Sequence, residues 1–154
     1  MYTTLLALHS LFRWLVLLSL AVSIFKAYRG WFGGKAFSKT DNALRHNTAT
    51  ILHIQFLLGV TLYIISPLVN YFWQNPSEAI HEHEIRFFGM EHITIMLIAI
   101  VVVTIGSAKA KRKVEDLEKF KTMTIWFSVG LFLILTSIPW EFSPFTSRPY
   151  FRGF

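Results

Sequence analysis

Glu91 and His92 stand near one end of a strongly apolar stretch, residues 87–106, FFGMEHITIMLIAIVVVTIG. His9 and Arg13 interrupt a second such stretch, residues 3–28. An ionisable group inside a bilayer costs roughly 2.5 to 3.5 kcal/mol even on the lenient insertion scale, so residues of this kind mark a candidate site. If the first stretch leaves the hydrocarbon near Lys26 and the later one enters near Phe87, a rise of about 1.5 Å per residue puts His9, Glu91 and His92 at one depth. Arg13 lies about a turn deeper, and its side chain leans back toward them.

Two histidines at one level on helices diagonal to each other are the donors a bis-histidine haem b requires, with neutral imidazoles as axial ligands and an apolar slot for the macrocycle. Arg13, Arg148 or Arg152 would neutralise propionates, and Met96, one turn after His92, would line the slot. Glu91 would act as an acceptor orienting an imidazole. The same residues also support a cofactor-free alternative. Arg13 and Glu91 would then form a buried ion pair, with His9 and His92 hydrogen-bonded around it, each interhelical polar contact worth about 0.6 kcal/mol.

His53 lies roughly 15 to 20 Å from this group by the same rise, so it needs another account. It is a candidate metal ligand for a second haem with Met123, an interhelical hydrogen-bonding group, or a quinone contact. The run His81, Glu82, His83, Glu84 sits in a polar connection and lacks a third convergent ligand for a built metal site. Hydrolytic chemistry is disfavoured, since neither a phosphate-binding glycine loop nor a nucleophile constellation nor metalloprotease spacing is present. The absence of cysteine excludes disulfides and thiolate metal sites.

The elements that must position these residues are transmembrane helices. Hydrophobic residues make up 53% of the 154 and charged ones 16%, a membrane composition. Helices are predicted over about 3–28, 43–70, 87–107 and 122–140, forming a single transmembrane domain over 1–154. The first is expected to be retained and not cleaved as a signal peptide, because no basic region precedes it and no small-residue cleavage site follows. Asp41 or Asn42 is expected to cap the second helix. Within that helix His46, His53, Val60 and Pro67 fall on one stripe, and Gln55, Gly59 and Ser66 on another; both stripes are expected to face protein. Pro67 is expected to loosen the last turn without breaking the span. Gly59, Gly106 and Gly130 suit close helix contacts.

Four spans with short connections imply an all-α, up-down-up-down bundle. Orientation follows the basic residues. Lys26, Arg29, Lys35, Lys39 and Arg45 flank the first connection, and Lys109, Lys111, Arg112, Lys113, Lys119 and Lys121 the third. The opposite side has Arg86, Arg148 and Arg152. Both basic connections therefore belong in the cytoplasm, with the N-terminus and C-terminus on the outer side. The formal charge of +6 is read as this orientation signal and not as a nucleic-acid site. Trp31 and Phe32 on one side, and Tyr71, Trp73, Trp140, Phe142 and Tyr150 on the other, fit interfacial belts.

The segments LLALHSLFRWLVLL, HIQFLLGVTLYIISPLV, MEHITIMLIAIVVVTIGSAKAKR and ILTSIPWEFSPF together resemble a family of small four-helix bacterial membrane proteins commonly labelled cytochrome b. The resemblance covers nearly the whole chain and contains His9, Arg13, Trp14, His53, Gln55, Glu91 and His92. The chain departs from the family at Glu141, where a second proline is common. The resemblance implies a b-type haem and electron transfer. A fainter likeness, a histidine in LH-x-x-F early in the first helix, links the chain to membrane protoporphyrinogen oxidases. The expected function is thus that of a cytochrome b-like protein of the bacterial inner membrane, passing electrons between a quinol and a partner. The alternatives are a cofactor-free accessory subunit of a larger membrane complex, bound to other membrane protein subunits, and an enzyme of haem metabolism.

Overall fold

The computed structural model describes residues 1–141 and 146, so Phe142, Arg148, Tyr150 and Arg152 lie outside the described residues. Four helices are long and apolar enough to cross a membrane: Tyr2–Phe32, Lys39–Ile65, His83–Arg112 and Asp116–Ser137. The shortest has 22 residues, about 33 Å at 1.5 Å per residue, against a hydrocarbon core of about 30 Å. The chain is a multi-pass membrane protein, with the lipid bilayer as its surroundings.

Helix α1 (Tyr2–Phe32) is followed by α2 (Lys39–Ile65). Three short helices then come in succession, α3 (Pro67–Gln74), α4 (Pro76–Ala79) and α5 (His83–Arg86). A π-helical turn, Phe87–Glu91, leads into α6 (His92–Arg112), and α7 (Asp116–Ser137) closes the set. α1 packs against α2 and α7, and α6 packs against the same two, so α1 and α6 face each other across the bundle.

Ser38 starts α2: its side chain accepts from the Asp41 amide while the Asp41 carboxylate accepts from the Ser38 amide. The cap is therefore earlier than expected, with Asp41 as the reciprocal partner. Pro67 does more than loosen the helix. Its ring disfavours helical geometry at the preceding residue, and Ser66 is extended, with ψ 123°. α2 ends at Ile65, and α3 begins with Pro67 in its first turn, capped by the Ser66 hydroxyl at 3.4 Å from the Val69 amide.

The end of the bundle nearest the 33–38 and 113–115 connections is densely packed. Leu20, Val103, Met123 and Phe127 are almost wholly buried there. Gly106 lets the Trp126 side chain lie where a Cβ would stand, and Gly130 does the same for Val103, so α6 and α7 approach closely. Ser23 and Thr48, both fully buried, share a hydrogen bond of 2.7 Å between α1 and α2. Arg45, counted among the loop cations in the sequence, is buried. It donates to the Ser107 carbonyl at 3.1 Å, to the Ser107 hydroxyl and to Asn42 Oδ1, tying α2 to α6.

Candidate functional site

At the other end of the bundle the four helices enclose a cavity of about 420 Å3. Its walls are mostly apolar, with Leu52, Phe56, Leu62, Ile100 and Ile134 among them, and its polar groups come chiefly from His9, Arg13, Gln55 and His92. This is the usual composition of a small-molecule site, an apolar pocket with a few convergent polar groups.

His9 and His92 meet in this cavity. Their ring centroids are 6.5 Å apart, with planes inclined at 76°. Helical rise alone puts them at equal depth as an expectation, and packing brings their rings next to one another. His9 is seated on α2: its ring lies over Gly59, with Cε1 3.2 Å from the place a Cβ would occupy. Gln55, one turn away on the same face, donates from Nε2 to the His9 carbonyl at 2.9 Å.

His92 is aimed by two local departures from regular helix. The π-helical turn before it, closed by the bond from the His92 amide to the Phe87 carbonyl, inserts an extra residue and separates the directions of Glu91 and His92. The Tyr63 hydroxyl donates to the Gly89 carbonyl within that turn at 2.7 Å. The second departure is the end of α7. The last carbonyls of a helix lack intrahelical partners, and Pro139 has no N–H to offer Leu135. Trp140 Nε1 donates to the Leu135 carbonyl at 2.9 Å, and His92 Nδ1 donates to the Ser137 carbonyl at 2.8 Å.

Glu91 does not orient an imidazole and does not meet Arg13. Its carboxylate accepts from Arg86 Nε at 2.6 Å, on the side away from the cavity. Ser137 takes the orienting role that the sequence assigned to Glu91. Arg13 and Met96 line the cavity, and Arg13 Nη2 lies 3.5 Å from the Ser10 hydroxyl. Arg148 and Arg152, the other expected propionate partners, lie outside the described residues.

His53 is not at this site. It is exposed, with Nδ1 2.6 Å from the Ala49 carbonyl and Nε2 3.3 Å from the Thr104 hydroxyl of α6. Met123 is 1% exposed in the core, so the two do not share a site. The His46, His53, Val60, Pro67 stripe faces outward, with Val60 alone half-buried. The Gln55, Gly59, Ser66 stripe lines the cavity. Among the described residues no cluster of three or more His, Asp or Glu side chains is placed to hold a metal ion.

Compared with family models, curated proteins and solved structures, the chain matches none. What the site can do is therefore carried by its own geometry. Two nitrogens each about 2 Å from one metal ion put their imidazole centroids on the order of 6 Å apart, and the His9 to His92 spacing fits that requirement. His92 has its Nδ1 proton on a carbonyl, which leaves Nε2 as the ligating nitrogen. His9 Nδ1 is buried and has no hydrogen-bond partner. The cavity volume falls in the range of about 300–1,000 Å3 that cofactor pockets occupy. The spacing of the two imidazoles and the apolar lining are of the kind a haem would require.

Proposed function

We propose that this protein is a b-type cytochrome-like membrane protein, in which His9 and His92 would hold one haem b. The observation that carries the proposal is the pair of imidazoles, 6.5 Å apart across an apolar cavity, one of them held by the Ser137 carbonyl in the tautomer a ligand needs. A bare metal ion held by protein alone wants four ligands or an open fourth position beside three. Two imidazoles suit an iron whose other positions are filled by a macrocycle. When bound, the haem supplies one-electron redox chemistry. The chain's own residues would then keep bulk water out with the apolar walls, hold the His9 backbone by Gln55 and the His92 imidazole by Ser137, and set Arg13 beside the pocket as a cation for an acidic substituent.

The helices run up, down, up and down, with both termini on the outer side and the basic connections in the cytoplasm. Contacts pairing His9 with Gly59, Ser23 with Thr48, Arg45 with Ser107 and Gly106 with Trp126 support that order. On this reading the cavity lies toward the outer face of a bacterial inner membrane, where electrons would be exchanged with a quinol and a protein partner.

The test is a reduced-minus-oxidised absorption spectrum of protein purified in mild detergent. The expected result is a b-type band at near-stoichiometric haem, lost in His92→Ala and in His9→Ala. A colourless, folded wild type that takes up no added haem overturns the proposal.

A further inference from the structure

Among the described residues, two buried polar atoms on neighbouring helices lack hydrogen-bond partners, His9 Nδ1 on α1 and Gln55 Oε1 on α2. Both residues line the same cavity. The Gln55 amide is not free to exchange its two ends. Nε2 donates to the His9 carbonyl, a bond only an N–H can make, so Oε1 is the end left unpaired. The His9 ring rests on Gly59, one turn from Gln55 on the same face, with Nδ1 3.7 Å from the place of the missing Cβ. The unpaired ring nitrogen thus lies on the α2 side of the ring, and Gln55 is on α2 one turn from Gly59.

Each such group costs about 1–3 kcal/mol if left unsatisfied, and the bilayer interior offers nothing in exchange. A buried water needs two to four polar partners and a polar place to sit. One such water satisfies both atoms, donating to Oε1 and either accepting from Nδ1–H or donating to an unprotonated Nδ1; the Nδ1–H form is the one that leaves Nε2 open to a metal. We propose that Gln55 is the positioning residue for His9, gripping its backbone through Nε2 and accepting the Nδ1 proton at Oε1 through one buried water. In this arrangement His9 carries its proton on Nδ1 and Nε2 is unprotonated, the same tautomer that the Ser137 carbonyl imposes on His92. The consequence for haem rests on the ligand assignment above. A stronger acceptor at Nδ1 makes the imidazole more basic, which favours the oxidised iron and lowers the reduction potential.

The experiment uses full-length protein in detergent, labelled with 15N-histidine, first without haem. The expected result is the Nδ1–H tautomer for His9, assigned by comparison with His9→Ala. Gln55→Leu loses that preference while Gln55→Glu retains it. An Nε2–H tautomer for His9 in the wild type overturns the inference, whether or not either variant folds, and so does a Gln55→Leu protein with the wild-type tautomer. On haem addition the midpoint potential is expected to rise in Gln55→Leu and fall in Gln55→Glu; equal potentials in all three proteins overturn the role at the iron. A wild type that takes up no haem but shows the expected tautomers overturns the haem assignment alone.

Discussion

His92 Nδ1 donates to the carbonyl of Ser137 over 2.8 Å, so the last turn of α7 fixes the direction of a side chain on α6. That carbonyl is open to a side chain because α7 stops at Ser137, with Ile138 extended ahead of Pro139. The proline, itself in the cavity wall, therefore acts on the site through the end of α7.

Pro139→Ala is expected to let α7 continue by a turn, so that backbone amides compete for the carbonyls now held by His92 and Trp140. Haem retention is expected to weaken by about 10-fold, the low end for loss of a partner that orients a ligand. Titration of the purified protein with haem, followed by absorbance, measures it. Retention equal to the wild type would show that the Ser137 contact is dispensable.

Gly59 and Gly106 both admit a close neighbour, but their neighbours differ in kind. A methyl at Gly59 presses on His9 Cε1 at 3.2 Å, so Gly59→Ala is expected to displace the ring by a few tenths of an ångström and alter the haem spectrum with little loss of stability. A methyl at Gly106 meets Trp126 in the dense end of the bundle. Gly106→Ala is expected to destabilise by about 1–3 kcal/mol, as overpacked cores do, and to leave the spectrum of the folded fraction unchanged. Thermal unfolding in detergent with parallel absorption spectra separates the two effects.

Glu91→Gln is expected to leave the haem band in place, since the carboxylate faces Arg86 and not an imidazole. Loss of that ion pair is expected to cost about 1 kcal/mol or less, because both side chains retain contact with the surroundings. Disappearance of the band in this variant would return Glu91 to the site.

The absence of cysteine makes the topology directly measurable. With single cysteines introduced in intact cells, Ser77→Cys is expected to react with a membrane-impermeant maleimide, while Lys35→Cys and Val114→Cys are expected to react only after permeabilisation. The reverse pattern would place the cavity toward the cytoplasm.

Much of the architecture was legible because a bilayer imposes a length and an apolarity that a sequence shows directly. The four spans followed from that, and the expectation of one depth for His9 and His92, which needs only a constant rise per residue, pointed to the two rings that lie 6.5 Å apart. The protein-facing stripe of Gln55, Gly59 and Ser66 was legible from helical periodicity, and these residues line the cavity. Helix ends were less so: α2 stops two residues before Pro67, and α7 begins at Asp116, inside the charged segment expected to be a turn.

Other features depended on partners far away in the chain. Periodicity put His53 on a plausible inner stripe, but the packing of α2 against α1 and α6 leaves it outside. Adjacency suggested that Glu91 and His92 would act together. A π-helical turn, with its Gly89 carbonyl held by Tyr63, sends one to Arg86 and the other to the cavity. Neither the turn nor the Ser137 acceptor has a local sequence signature, since each is stabilised by hydrogen bonds to residues on another helix. The sequence by itself determined a four-span membrane protein with His9 and His92 on two of its spans. Only the tertiary structure decided which groups hold them, because hydrogen-bond partners are chosen by helix rotation and packing, which spacing along one helix does not contain.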